Sequence, residues 1–457
     1  MYPKTMKLRS ITLVNLNTLN EFRHGVYGCF GNAKDALLNL VDALSSEAGA
    51  RSFPELSFSP FFERTWASLY EALEDGQIEA ERLREVFLDF APLPPQGQMV
   101  FLGIDTSNLY RPEAECAADR TLVQIANLPK NAHAASPGWV ISSVVLLPKL
   151  AGQGTFVLDT VRVKSTELAT EVAARQLRAV VAGLVARGLC PIILGDRWYA
   201  CAPFLARLAD VEARCLLRVK SNRVFYRPAP ARRPGQLGAS RKDGDRFQCS
   251  DESTHGEPDE TWDGIDAKGA RIEVRCWNHL HLRTARWVSV SVIQVIRHGA
   301  SGKVRDPKIS WFVWKGGEPA PLAEISSTYR LRYSHEHGYR FDKQVLLWDV
   351  PRLSTPERTE RWTQVVACAH NQLVLARPLL GGWYRPWENR RSVLTLTQVR
   401  RAMPTLLCQL GTPARPPQLR GKAPGRAKGF HPKPRTRHPV ISKTSKKKKK
   451  SKKRASS

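Results

Sequence analysis

Two short apolar runs in this chain end on a carboxylate. Phe101-Leu102-Gly103-Ile104 leads into Asp105, and Ile192-Ile193-Leu194-Gly195 leads into Asp196. Runs of this length predict strands buried in a sheet, which restricts the chain to a layered α/β arrangement with helices packed over that sheet. An acid at such a position is costly to bury without a counter-ion. Either aspartate alone is also compatible with an ordinary strand-end or turn acid beside a Thr or Arg.

The pattern around the two runs sets the organisation. Before the first, the spacing predicts helices over residues 32–45, with Leu37, Leu40, Val41 and Leu44 on one face, over 60–73 after Ser59 as an N-cap, and over 77–90 after the stop at Asp75-Gly76. The run Ala91-Pro92-Leu93-Pro94-Pro95 cannot continue a helix and stiffens a linker. Strands are then expected over 99–105, 139–147 and 154–163, followed by a helix opened by Ser165-Thr166-Glu167 and stopped at Gly188, a strand over 191–194, a helix over 199–209 and a strand over 213–219. This order implies an antiparallel beginning and a parallel continuation. Residues 225–298 read as loop followed by exposed strands over 271–282 and 287–296, a β-rich insertion. A strand over 309–314 returns to the core, and a helix over 356–373 buries Trp362, Val365, Val366 and Ala369. The expected units are an N-terminal helical domain (1–91), a core in two parts (97–225 and 309–385) around the insertion (226–308), a C-terminal region (386–411) and a basic disordered tail (412–457).

The formal net charge of +28 over 457 residues points to a polyanionic partner. Much of it is local: about 17 Lys and Arg and no acid lie in residues 412–457, leaving about +11 for the rest. The 9 cysteines are scattered without a C-x-x-C pair, which argues against a zinc ribbon and a secreted disulfide framework. The N-terminus lacks the apolar core of a signal peptide, and no apolar stretch of about 18 residues occurs. A cytoplasmic, DNA-associated protein with no membrane segment is expected.

Tyr329, Arg332, Glu336 and Lys343 fall within about 60° of one another if residues 329–343 are one α-helix. One carboxylate, two cations and a phenol on one stripe suit a site where the acid holds a divalent metal and the cations hold phosphate. Two-metal phosphoryl transfer needs carboxylates converging from separate elements, and Asp105, Asp196 and Glu336 lie on three.

Together these residues resemble the DDE transposases of bacterial insertion sequences, in the group with a Tyr-x2-Arg-x3-Glu-x6-Lys signature, matched by Tyr329, Arg332, Glu336 and Lys343. The likeness extends over about residues 99–380: the first acid in the opening strand, the second before Arg197, and an inserted β-domain ahead of the third. It implies an RNase H-like catalytic core that binds Mg²⁺, or Mn²⁺ in its place, through Asp105, Asp196 and Glu336. Such an enzyme nicks the element ends and joins the freed 3′-hydroxyl to target DNA, acting on double-stranded DNA as a homodimer. Tyr329, Arg332, Lys343 and Arg197 would meet the DNA.

Trp311 and Trp314, in the strand before the signature, resemble the region from which similar transposases stack a tryptophan on a flipped base; a core role is the other reading. Gly338 costs about 1 kcal/mol against Ala in a helix and marks close approach of DNA or of a neighbouring strand, or else a weakened helix. His335 and His337 are expected to be DNA-proximal or at the surface, His279 and His281 lack cysteine partners for zinc, and Lys446 to Lys450 would add salt-sensitive DNA affinity or serve only solubility. A descendant that binds DNA without chemistry, or a nuclease that never joins strands, would carry the same scaffold.

Overall fold

A computed structural model describes residues 13–125, 134–148, 154–232, 238–265, 269–299, 308–317, 319–381, 384–390, 393–418, 425, 427–431 and 434–442. Four helices come first: α1 (Leu13–Gly28), α2 (Lys34–Ser46), α3 (Trp66–Asp75) and α4 (Ala80–Phe90). The expected face of α2 is buried. The helix anticipated from residue 60 starts instead at Trp66, behind a 3-10 turn at Pro54–Phe58.

The first sheet strand, β1 (Met99–Tyr110), runs five residues past Asp105, which therefore sits within a strand and not at its end. It is followed by β2 (Thr121–Gln124), β3 (Ala135–Leu146), β4 (Phe156–Val163), α5 (Ala169–Ala186), β5 (Cys190–Gly195), α6 (Ala202–Arg207) and β6 (Arg214–Val219). β3 is antiparallel to β1 and to β4, while β5 is parallel to β1 and to β6. The order β4-β3-β1-β5-β6 is thus antiparallel at one side and parallel at the other, as the sequence order implied.

β7 (Val224–Tyr226), β8 (Arg246–Gln248), β9 (Glu260–Ile265), β10 (Arg271–Leu282), β11 (Ala285–Arg297) and β12 (Lys308–Lys315) follow. Because β12 pairs with β6 on one side and β11 on the other, these strands prolong the same sheet. β9 falls where a loop was expected. The chain closes with α7 (Ile325–Arg330), α8 (Tyr333–Gln344), α9 (Pro356–Ala376) and α10 (Leu396–Leu410). No described helix is long and apolar enough to cross a membrane.

α9 joins the layers through three consecutive residues, which the helix points in directions about 100° apart. His370 pairs with Asp342 of α8 at 2.6 Å, Asn371 makes two 2.8 Å bonds to the Val157 backbone of β4, and Gln372 donates to Asp42 of α2 at 3.1 Å. Asp42 is also paired with Arg23 of α1 at 2.6 Å, both buried. The N-terminal helices therefore share one core with the sheet: α2 packs on α9 and α10, and α4 on β4, across the proline run.

Parts of the tail expected to be disordered are bonded to the fold. The Arg415 amide donates to Asp35 at 3.0 Å, and the Ile441 amide donates to Arg120 O at 2.7 Å, where Ile441 bridges Thr121 of the edge strand β2. Lys446 to Lys450 lie outside the described residues.

Gly338 is explained by the neighbouring strand. A Cβ there would stand 2.6 Å from Thr155 Oγ1, just ahead of β4, and Thr155 is buried. Gly338→Ala would gain about 1 kcal/mol of helix propensity but lose about 1–3 kcal/mol to overpacking. Urea unfolding should show a net loss of about 1 kcal/mol; a variant as stable as the parent would mean that Thr155 yields.

Candidate active site

The parallel pairing of β1 with β5 sets Ile104 opposite Gly195, so the next residues, Asp105 and Asp196, stand at the same level of the sheet. Crevices open at the carboxyl ends of such parallel strands. Asp105 accepts the Thr106 amide at 2.8 Å, and Asp196 accepts the Trp198 amide at 2.8 Å, which turns the chain after β5. Burial pushes the Asp105 carboxyl up to about 6; Arg332 opposes the shift, and Asp196 and Glu336 add to it. Asp196 is also raised, chiefly by burial.

The third acid arrives on α8. The single helix expected over 329–343 is two helices meeting at a tight turn, where the Leu331 and Arg332 amides bond three residues back, to Thr328 at 3.1 Å and Tyr329 at 3.2 Å. Leu331 and Arg332 keep right-handed helical backbone, so the chain does not change hand. Arg332 then reaches two carboxylates: Nη1 donates to Asp105 Oδ2 at 2.8 Å, and Nη2 to Glu336 Oε1 at 2.8 Å. Burial alone would lower its pKa, but Asp105, Tyr329 and the other acids hold it above the ordinary value.

The inner face of α8 is made by His335, Tyr339 and Asp342, spaced four and three residues apart. The Tyr339 hydroxyl donates to the Asp105 backbone carbonyl at 3.0 Å. His335, expected near the surface, is buried against β1, because a Cβ on Gly103 would approach its Nδ1 to 2.9 Å. Burial takes His335 down to about 3, which leaves the ring neutral, and neither ring nitrogen has a hydrogen-bond partner among the described residues. His337 is exposed.

Of the other residues of the stripe, Tyr329 stays beside Arg332 and Lys343 turns elsewhere. Tyr329 is buried on the Phe312 ring, with centroids 4.8 Å apart. Lys343 donates to Asn108 O at 2.9 Å, three residues past Asp105, and its Nζ lies 5.7 Å from the centre of the Trp348 ring. Its pKa is lowered by burial. Arg197 is exposed.

Trp311 and Trp314 are both largely buried, and of the two Trp311 borders the groove beside Asp196. In β12, Trp314 is 1% exposed, and Trp311, 4% exposed, stacks on Trp277 at 5.9 Å. An exposed aromatic near the acids is Trp198, missed in the sequence, with Lys220 Nζ 4.6 Å from its ring centre. Arg197, Arg218, Lys220, Tyr329 and Arg332 line a groove of about 900 Å³ that opens beside Asp196. Arg218 and Lys220 were also not singled out; they alternate at the end of β6, beside the acid-bearing strand.

A family model described as DDE superfamily endonuclease matches residues 25–283, more than half of the chain. The chain belongs to the DDE superfamily endonucleases. The matched stretch of this DDE superfamily endonuclease contains Asp105 and Asp196, and Glu336 lies beyond it. No curated protein matches the chain. The mixed α/β fold, with N-terminal helices and a central sheet, is consistent with the RNase H-like architecture of such enzymes.

Asp105, Asp196 and Glu336 supply the hard oxygen donors that Mg²⁺ prefers. Among the described residues, however, no group of three or more His, Cys, Asp or Glu is close enough to hold a metal as it stands. Between Asp105 and Glu336 stands the Arg332 guanidinium.

A carboxyl whose pKa is higher folded than unfolded binds its proton more tightly in the fold, so stability falls as pH rises from about 4 through the folded value. For Asp105 that window ends near 6. With chelator present, Asp105→Asn should be more stable than the parent by about 1–3 kcal/mol at pH 7.5 and nearly equal at pH 4. Loss of stability at pH 7.5 would mean that the pairing with Arg332 outweighs the burial.

Proposed function

We propose that this DDE superfamily endonuclease is a transposase of the bacterial insertion-sequence group with the Tyr-x2-Arg-x3-Glu-x6-Lys signature, which cleaves element ends and joins them to target DNA. The observation that supports the proposal is that Arg332 bonds Asp105 of β1 and Glu336 of α8, while Asp196 of β5 stands at the level of Asp105 and, with Arg332, borders a basic groove.

Each residue has a defined task in this reading. The three carboxylates would hold Mg²⁺, or Mn²⁺, which when bound supplies an activated water and charge to stabilise the phosphorane. Tyr339 fixes the Asp105 backbone, and so the direction in which that carboxylate points. Arg332, Arg197, Arg218 and Lys220 offer phosphate-binding cations along the groove, Arg through paired N–H groups and Lys as a point charge. Lys343 is spent on Asn108 and a tryptophan face, so its part is to steady α8 against β1. The partner is double-stranded DNA, bound by a homodimer, with the N-terminal helices as the reader of element ends.

Purified protein with Mg²⁺ or Mn²⁺ should cut DNA carrying the inverted ends that flank its gene. Asp196→Ala should reduce cutting by about a hundredfold or more while DNA binding persists in a gel-shift assay. An Ala variant that cuts like the parent would remove Asp196 from the chemistry.

A further inference from the structure

The Arg332 guanidinium does here what a divalent cation would do: it joins Asp105 to Glu336. A guanidinium usually grips one carboxylate with both arms. This one divides them, Nη1 to Asp105 Oδ2 at 2.8 Å on β1 and Nη2 to Glu336 Oε1 at 2.8 Å on α8. The Arg332 side chain is 14% exposed and also lines the groove that carries Arg197, Arg218 and Lys220. A phosphate drawn in by those cations would compete with the two carboxylates for the same N–H groups.

We infer that Arg332 is an internal latch that keeps divalent metal out of the Asp105–Glu336 bridge until a DNA phosphate in the groove draws the guanidinium away, so that metal binds tightly only after DNA. The inference rests on the reading of Asp105, Asp196 and Glu336 as metal ligands. Removing the guanidinium from the bridge leaves the carboxylates uncompensated, which raises their affinity for a divalent ion. Moving it onto phosphate keeps the cation beside the strand to be cut. DNA binding and metal binding then reinforce each other, since coupling between two ligands is reciprocal.

The test is Mn²⁺ binding, read from the resonance of free Mn²⁺, so cleavage is not needed. In DNA-free protein, Arg332→Gln should bind Mn²⁺ at least about tenfold more tightly than the parent, which corresponds to an easily resolved change in affinity. Arg332→Lys keeps the charge but cannot span both carboxylates, so it too should bind more tightly than the parent. If Arg332→Lys binds like the parent, the effect is through-space charge and the latch is wrong. Adding a 30-base-pair duplex at low salt should tighten Mn²⁺ binding by the parent and leave Arg332→Gln nearly unchanged; an equal gain in both, or no gain in the parent, overturns the proposal. Thermal melts check that both variants are folded. Tight Mn²⁺ binding by Arg332→Gln without any DNA cleavage by the parent would keep the latch and sink the transposase reading, whereas metal-dependent cleavage with no Arg332 effect would do the reverse.

Discussion

Three carboxylates cannot share a half-buried site without a cation, and Arg332 is the one bonded to two of them here. Two like charges about 5 Å apart repel by about 3 kcal/mol at an effective dielectric of about 20, and a third multiplies the cost. The sheet creates this problem: parallel pairing brings Asp105 and Asp196 to one level, and α8 adds Glu336 beside them. Burial then makes ionisation of Asp105 and Asp196 harder still. In the proposed reading, that cost is what would favour a divalent cation over the guanidinium at these carboxylates.

Holding α8 in place is a task spread through the molecule. Tyr339 and His335 seat it on β1, and the His370–Asp342 pair ties it to α9. The next two residues of α9 tie β4 and α2, so the N-terminal helices buttress the same helix that carries Glu336. Gly338 belongs to this scheme: it lets α8 approach Thr155 more closely than a side chain would allow.

How much of this could be read in the sequence follows from how each signal is written. Periodicity in apolar residues exposed α2, α9 and the core strands, and the acids after two apolar runs pointed to two of the three carboxylates proposed for the site. α1 was missed although Leu19, Phe22 and Val26 are its buried stripe, since Asn15, Asn17, Asn20 and Gly25 depress its helix propensity. α10 was hidden by Pro404 within it. β9 has mostly polar, half-exposed residues and is held by pairing with β10, a long-range contact that no local pattern announces. The stripe in 329–343 was legible as a set but not in its details, because the tight turn at 331–332 and the contacts to β1 decide which member meets which partner. His335 was misplaced for a related reason: a polar residue on the inner face looks like a surface residue until Gly103 and the sheet are set against it.

The most direct measurement is anomalous diffraction from crystals of the protein bound to DNA and Mn²⁺. The account predicts a manganese peak coordinated by Asp105, Asp196 and Glu336, with the Arg332 guanidinium turned from the carboxylates onto a backbone phosphate. A peak that excludes Glu336, or one that forms while Arg332 still bridges Asp105 and Glu336, would contradict it.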